Sequence, residues 1–179
     1  MGLLIVTSTA CADTAGKPVP ASTGEQTTPV ADDALHIERP KQLKAISDPC
    51  QLLTPDQARQ LNAGPTSSGQ SEWGQADCTW RNQQLRIDIA PDTVQGQGLD
   101  WLVKTAGNGK PTAEVNGYPG VRYGISSDSC GTYVATSDTE LFLVGFQVGS
   151  EGRGNPEYAD PCAVTDKVAA LVLENLPPA

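Results

Sequence analysis

The sequence contains little of what several common functional classes require. Of its 179 residues only His36 is a histidine, and 12 basic side chains face 21 acidic ones, which gives a net charge of −9. A surface of that charge repels phosphate groups, so nucleic acid is excluded as an expected partner and anionic lipid headgroups are disfavoured. No apolar run approaches the roughly 18 residues of a membrane-spanning helix. The chain is therefore expected to reach a membrane, if at all, by another route.

Catalytic and metal-binding patterns are equally scarce. Without a histidine after His36, the chain lacks the base of Ser-His-Asp and Cys-His machinery. No two of the five cysteines lie within four residues of each other, which argues against zinc and against a Cys-x-x-Cys redox pair. The glycine-rich segments 96–98 and 149–154 lack the flanking pattern of a phosphate loop and are expected to be turns. We therefore expect no enzyme activity, no catalytic residue, no metal and no cofactor.

The first eleven residues end in a pattern typical of a bacterial lipoprotein signal. A short apolar stretch runs through small residues into Cys11, and Ala10 suits the position before a lipid-modified cysteine. Ser8 stands where such signals usually carry leucine, and the stretch lacks the cationic start and the about 7 to 15 apolar residues of an intact signal. We therefore expect translation to begin upstream and Cys11 to carry a diacylglyceryl anchor. The alternative is a free thiol in a frayed N-terminus.

The remainder of the chain divides into a linker and one domain. Residues 12–44 are rich in Pro, Ser, Thr, Ala and Gly and show no hydrophobic period, which predicts a disordered tether with a reach of roughly 30 Å. Residues 45–179 are predicted to form a single disulfide-stabilised domain. The two acyl chains of a lipoprotein anchor would hold such a domain durably at the outer face of the cell membrane.

Four cysteines, Cys50, Cys78, Cys130 and Cys162, remain for the domain. An even number in an exported chain predicts two disulfide bonds. Three connectivities are possible, and the sequence does not choose between them. We favour the pairs Cys50–Cys162 and Cys78–Cys130, because Cys50 and Cys162 open similar helices and Cys78 and Cys130 begin strands.

Local signals predict an α+β domain. Asp48 and Asp160 each precede Pro-Cys and read as N-caps of helices, Thr54 begins a capping box with Gln57, and residues 99–106 favour a short helix. Alternation of apolar and polar residues predicts strands at 78–80, 85–89, 115–125, 130–136 and 141–148. Alternation also turns Asp88 away from the core. We expect a mostly antiparallel sheet of about five strands, with helices at both ends packed on one face.

The order of these motifs resembles a known family. The paired Asp-Pro-Cys motifs at 48–50 and 160–162, the intervening Cys78-x-Trp80, Val115-x-Gly117-x-Pro119 and Cys130, and the final Val-Ala-rich helix are similar to an actinobacterial lipoprotein family, domain of unknown function 3558. The resemblance covers residues 46–178. It implies attachment at the cell surface and does not imply an activity.

Two aromatic side chains stand out as a possible recognition surface. Trp73 lies in a polar run and Tyr118 in the Gly-Tyr-Pro-Gly segment, although packing under a loop or in a turn explains either residue as well. The leading hypothesis is a non-enzymatic, lipid-anchored surface protein whose domain binds an envelope protein or glycan. The alternatives are a carrier or sensor that encloses a small apolar ligand between sheet and helices, and a hydrolase with two facing carboxylates.

Overall fold

The fold is an antiparallel sheet with helices on both faces. The computed structural model describes residues 35–70, 74–92 and 95–179. In these ranges seven strands form one sheet in the order β1-β2-β3-β7-β6-β5-β4, and every pairing is antiparallel. The strands are β1 (Thr66–Gln70), β2 (Ala76–Arg81), β3 (Leu85–Asp92), β4 (Ala113–Val115), β5 (Tyr118–Tyr123), β6 (Ser129–Ala135) and β7 (Leu141–Val148).

Two meanders meet at the centre of this sheet. β1 to β3 and β4 to β7 each join neighbouring strands, as expected for short connections, and the long pairing of β3 with β7 unites the two halves. In that pairing Ile87 lies opposite Phe146 and Ile89 opposite Val144. All four side chains are buried, so the centre of the sheet carries the main core.

The helices at the two ends of the domain cover the same face. A 3-10 turn (Pro49–Gln51) and α1 (Pro55–Gln60) precede the sheet, and α3 (Pro161–Asn175) follows it. Thr165, Val168, Ala169 and Val172 of α3 follow helical spacing and are buried, because they pack against β6 and β7. Asn175, at the end of α3, donates to the carbonyl of Leu52 at 2.9 Å. Helical segments from both ends of the domain therefore lie on one face, as predicted, although α1 itself buries no residue.

A third helix lies on the opposite face. α2 (Gly98–Thr105) buries Leu99, Leu102 and Val103. These side chains pack against β5 and β6 at one end of the sheet. On the rest of this face, alternate residues of the strands present polar side chains, among them Arg86 and Asp88. No helix of the described residues covers that part. The sheet therefore has one covered face and one partly open face.

The predicted number of strands is too low. β1 has the sequence Thr-Ser-Ser-Gly-Gln and is exposed along its whole length, so no hydrophobic alternation signals it. The predicted strand at 115–125 is two strands, because Asn116 and Gly117 both take positive φ values, 52° and 83°, and form a tight hairpin turn. A missed edge strand and an undivided hairpin account for the difference.

The packed domain also begins before the predicted boundary at residue 45. Ile37 and Leu43 are buried, and Lys41 forms a bridge with Pro178. The backbone N–H of Lys41 donates to the carbonyl of Thr136 at 2.9 Å. Residues 35–44 are therefore part of the fold and not of a linker, and their few apolar residues were hidden in a polar segment. No helix of the described residues is long and apolar enough to cross a membrane.

The predicted helix caps are confirmed. The Asp48 carboxylate accepts from the N–H of Cys50 at 2.9 Å, and that of Asp160 accepts from the N–H of Cys162 at 3.0 Å. Thr54 and Gln57 form the reciprocal capping box. These contacts explain the acidic residues as helix caps.

Candidate functional site

The four domain cysteines form two disulfide bonds, as predicted, but the favoured pairing is wrong. Cys50 is bonded to Cys78 and Cys130 to Cys162, each with a Cα–Cα distance of 5.1 Å. Each bond links a helical segment at one end of the domain to a strand of the sheet. The first joins the 3-10 turn to β2, and the second joins the start of α3 to β6.

Sheet topology excludes the pairing favoured from the sequence. β3 and β7 lie between β2 and β6, so Cys78 and Cys130 are three strand spacings apart. At about 4.8 Å for each spacing this is roughly 14 Å, whereas disulfide-bonded Cα atoms lie within about 7 Å of each other. The sequence shows that both cysteines are in strands but does not show that two other strands separate them.

The remaining predicted site residues do not form a common site. Cys11 and Trp73 lie outside the described residues. Tyr118 is 6% exposed, and its hydroxyl donates to the carbonyl of Arg39 at 2.6 Å. The prediction that Tyr118 lies on a recognition surface is therefore wrong. It holds the N-terminal segment of the domain against β5.

A groove between α2 and the partly open sheet face is the candidate site. It has a volume of about 500 Å³, within the range of small-molecule sites. Buried apolar side chains of the sheet and of α2 line it together with exposed polar side chains. The lining residues are Gln75, Ala90, Asp92, Gln95, Gln97, Gly98, Trp101, Leu102, Tyr133 and Leu141.

Trp101 gives the groove its exposed aromatic surface. The buried stripe of α2 passes through Leu99, Leu102 and Val103, which leaves Trp101 off the stripe. Its side chain is 47% exposed, although tryptophan is usually well buried. A half-exposed indole beside a groove supplies a flat apolar surface with one N–H donor at its edge.

Asp92 gives the groove a positioned carboxylate. It ends β3, is 9% exposed, and its Oδ1 accepts from the Nε2 of Gln75 at 2.7 Å and from the N–H of Gln95 at 3.0 Å. The N–H of Gly96 adds a third contact at 3.3 Å. Oδ2 accepts no hydrogen bond from the described residues. These contacts fix the carboxylate, and Oδ2 is the oxygen that they leave without a partner among the described residues.

The tyrosines of the open face remain neutral at physiological pH. Burial raises the pKa of Tyr133, and the charge of Asp92 raises it further. Burial raises the pKa of Tyr123 to about 12, with smaller contributions from Tyr133 and Asp88. The two rings lie 5.1 Å apart. Tyr133 therefore presents a phenol to the groove, which can donate or accept a hydrogen bond.

The charge of the groove limits what it can bind. Its described lining contains one carboxylate, that of Asp92, and no lysine or arginine. Nothing there would neutralise a phosphate, a sulfate or a carboxylate of a ligand. The second carboxylate that acid–base hydrolysis of a glycoside requires is also missing from this lining. The groove is suited to binding.

A second polar cluster lies on the same sheet face outside the groove. Asp88 faces away from Ile87 and Ile89, as alternation predicts, and pairs with Arg86 at 2.7 Å. Burial and the charge of Asp88 raise the pKa of Asp77, while Arg86 and a backbone hydrogen bond from Gly69 oppose the shift. Within the described ranges no three His, Cys, Asp or Glu side chains form a group that could hold a metal ion.

The sequence contains partial signals for the groove. Helical spacing in residues 99–103 already places Trp101 away from the buried stripe. Strand alternation places Asp92 on the face of Asp88. What the sequence does not show is that α2 packs on that same face beside Asp92, since this depends on the order of strands from different parts of the chain.

Comparison with known protein families identifies a match that covers most of the chain. The family described as protein of unknown function (DUF3558) matches residues 6–175. No curated protein matches the chain, and no solved structure does.

Proposed function

The chain belongs to the DUF3558 family of proteins of unknown function, and we propose that it is a non-enzymatic, lipid-anchored protein of the outer cell-membrane surface, in an actinobacterial envelope. Its disulfide-bonded domain binds an envelope component or a protein partner. The binding site is the groove between α2 and the sheet. The observation that carries this proposal is the groove itself, with the half-exposed Trp101 beside the fixed carboxylate of Asp92.

The disulfide bonds support an extracytoplasmic location. Structural disulfides persist in oxidising compartments and are rare in reducing ones. Cys130 is 2% exposed and Cys78 is fully buried, so each bond joins a half-buried cysteine of a helical segment to a core cysteine of the sheet. An exported domain in turn supports the lipid anchor proposed at Cys11.

A carrier for an apolar ligand is the second candidate, and the volume of about 500 Å³ favours it. An apolar ligand would, however, cover the carboxylate of Asp92 without offering it a hydrogen bond, which costs free energy. We therefore rank recognition of a polar component above transport of an apolar one.

The anchor is tested by expressing the gene with its upstream sequence in an actinobacterial host. Wild type is expected in the membrane fraction with a diacylglyceryl mass on Cys11. Cys11→Ser is expected in the soluble fraction, and Thr9→Ser, the control, in the membrane fraction. A soluble wild type without lipid would contradict the anchor.

The binding role is tested separately with washed envelopes of the same host and purified protein in a Cys11→Ser background, which carries no lipid anchor that could itself enter a membrane. We expect the envelopes to retain the parent protein and its Ile125→Ala variant, which changes an exposed residue outside the groove lining. We expect them not to retain the Trp101→Ala variant. Equal retention of all three proteins, or of none, would contradict binding through the groove.

A further inference from the structure

The chemistry of the groove points to one class of ligand, and we propose that it binds a neutral saccharide, with one sugar ring stacked on the indole of Trp101. This inference rests on the proposed function, because it names the class of envelope component that the groove takes.

The groove combines a flat apolar surface with hydrogen-bonding groups, as a sugar does. A pyranose ring has an apolar face of C–H groups and a rim of hydroxyls. Trp101, 47% exposed, offers the matching flat surface, and an exposed aromatic ring gains most when it is covered by such a face. Leu102 and Leu141, both buried, add apolar surface within the groove.

The polar groups of the groove match the hydroxyls of a sugar. Oδ2 of Asp92 is an acceptor held in place by the three hydrogen bonds to Oδ1, and a hydroxyl is the simplest neutral donor to it. The amides of Gln95 and Gln97 are exposed at the groove, and each carries a donor and an acceptor. Adjacent hydroxyls of a sugar can donate to and accept from one amide at once.

The charge of the groove favours a neutral sugar over an acidic one. The described lining has no cation to meet an acidic sugar or a phosphate, and the domain as a whole is acidic. A neutral ligand avoids that repulsion. It also supplies the donor that an apolar ligand would deny to Asp92, whose carboxylate would otherwise be covered without a partner.

The test uses the whole chain and three classes of probe: neutral trisaccharides of glucose, galactose or mannose, a uronic-acid trisaccharide, and the apolar dye N-phenylnaphthylamine. Nuclear magnetic resonance titration reports both affinity and the indole N–H of Trp101. We expect at least one neutral trisaccharide to bind, to shift that resonance, and to bind better than the uronic-acid trisaccharide.

Variants distinguish ring stacking from a general effect on the fold. Trp101→Ala is expected to weaken binding by about tenfold or more, and Trp101→Phe, which keeps a ring, by about threefold or less. Ile125→Ala and Glu174→Gln lie outside the groove lining and should leave the affinity unchanged. Because Trp101 is about half buried, Trp101→Ala is expected to lower the melting temperature modestly, and binding is compared at a temperature at which all the variants are folded.

Failure of this inference differs from failure of the proposed function. If no neutral trisaccharide binds while envelopes still retain the wild type and release Trp101→Ala, the saccharide class is wrong and the groove remains a binding site. Binding of the dye alone, or of the uronic-acid trisaccharide as tightly as a neutral one, also overturns the inference. Loss of groove-dependent envelope binding removes the proposed function as well.

Discussion

The guanidinium of Arg122 on β5 donates a hydrogen bond to the carboxylate of Asp166 on α3 at 2.6 Å. It also donates to the hydroxyl of Thr132 at 3.2 Å and to the carbonyl of Cys162 at 3.3 Å. Arg122 thus ties the sheet to the start of the last helix, beside a disulfide bond. Its side chain is 20% exposed and that of Asp166 is 32% exposed, so water replaces these contacts only in part.

Replacement of Arg122 should therefore destabilise the domain. Arg122→Met leaves the Asp166 carboxylate without its cation, and we expect a loss of about 1 to 3 kcal/mol in the free energy of unfolding. The matched control is Arg59→Met, which removes the exposed ion pair with Asp56 and should cost about 0.5 kcal/mol or less. Urea denaturation of both variants measures the difference. Equal losses would show that Arg122 contributes no more than a surface ion pair.

The disulfide pairing predicts which proteolytic fragments stay joined. Trypsin cleaves after Arg59 and Arg153, so non-reducing digestion should give residues 45–59 joined to 60–81 and 123–153 joined to 154–167. A product joining 45–59 to 154–167 would contradict the sheet order. The sequence separations of 28 and 32 residues imply roughly 3 to 4 kcal/mol of stabilisation from each bond in the chain-entropy account.

Gly98 should be essential to the rim of the groove, whereas Gly96 should not. Gly98 has φ 67°, and a Cβ there would collide with the carbonyl oxygen of Asp138, so Gly98→Ala combines backbone strain with a steric clash. Gly96 has φ 59° with no atom within 4 Å of a Cβ. We expect Gly96→Ala to cost about 1 kcal/mol and Gly98→Ala about 2 kcal/mol more. Thermal denaturation of the two variants measures the difference. Equal losses of stability would show that the positive φ alone accounts for the cost and that the contact with Asp138 adds nothing.

The tyrosine pair should make the domain sensitive to alkali. Burial raises the pKa of Tyr123 to about 12, so the folded state disfavours the phenolate. The contribution of Tyr123 to stability is complete below its ordinary pKa of 10.0 and is lost as the pH rises to about 12. Ultraviolet titration of phenolate absorbance, with urea denaturation at each pH, follows both changes. Tyr123→Phe should flatten the stability curve in this range, and an unchanged slope would contradict the assignment.

The sequence predicts local features of this fold well and long-range ones poorly. The caps at Asp48 and Asp160 and the helix ending near Pro177 depend on neighbouring residues, and the structure has them in the predicted places. The polar strand β1 and the disulfide partners depend on where distant strands pair, which no local pattern specifies. The turn sequence around Tyr118 predicts an exposed side chain, whereas its hydroxyl donates to the carbonyl of Arg39, 79 residues earlier in the chain.

The candidate site follows the same division. Helical spacing alone shows that Trp101 is off the buried stripe of α2. The meeting of Trp101 with Asp92 requires the sheet order, because α2 follows β3 in the chain but packs on strands β5 and β6.

The central claim is that the groove between α2 and the sheet is the binding site of this protein. The most direct measurement is chemical-shift mapping of the full-length, isotopically labelled chain during titration with saccharides released from the host envelope. The account predicts that the largest shifts fall on the indole N–H of Trp101 and on the backbone amides of Gln95, Gln97 and Tyr133. Shifts confined to α3, on the opposite face of the sheet, or no shifts at saturating saccharide, would contradict it.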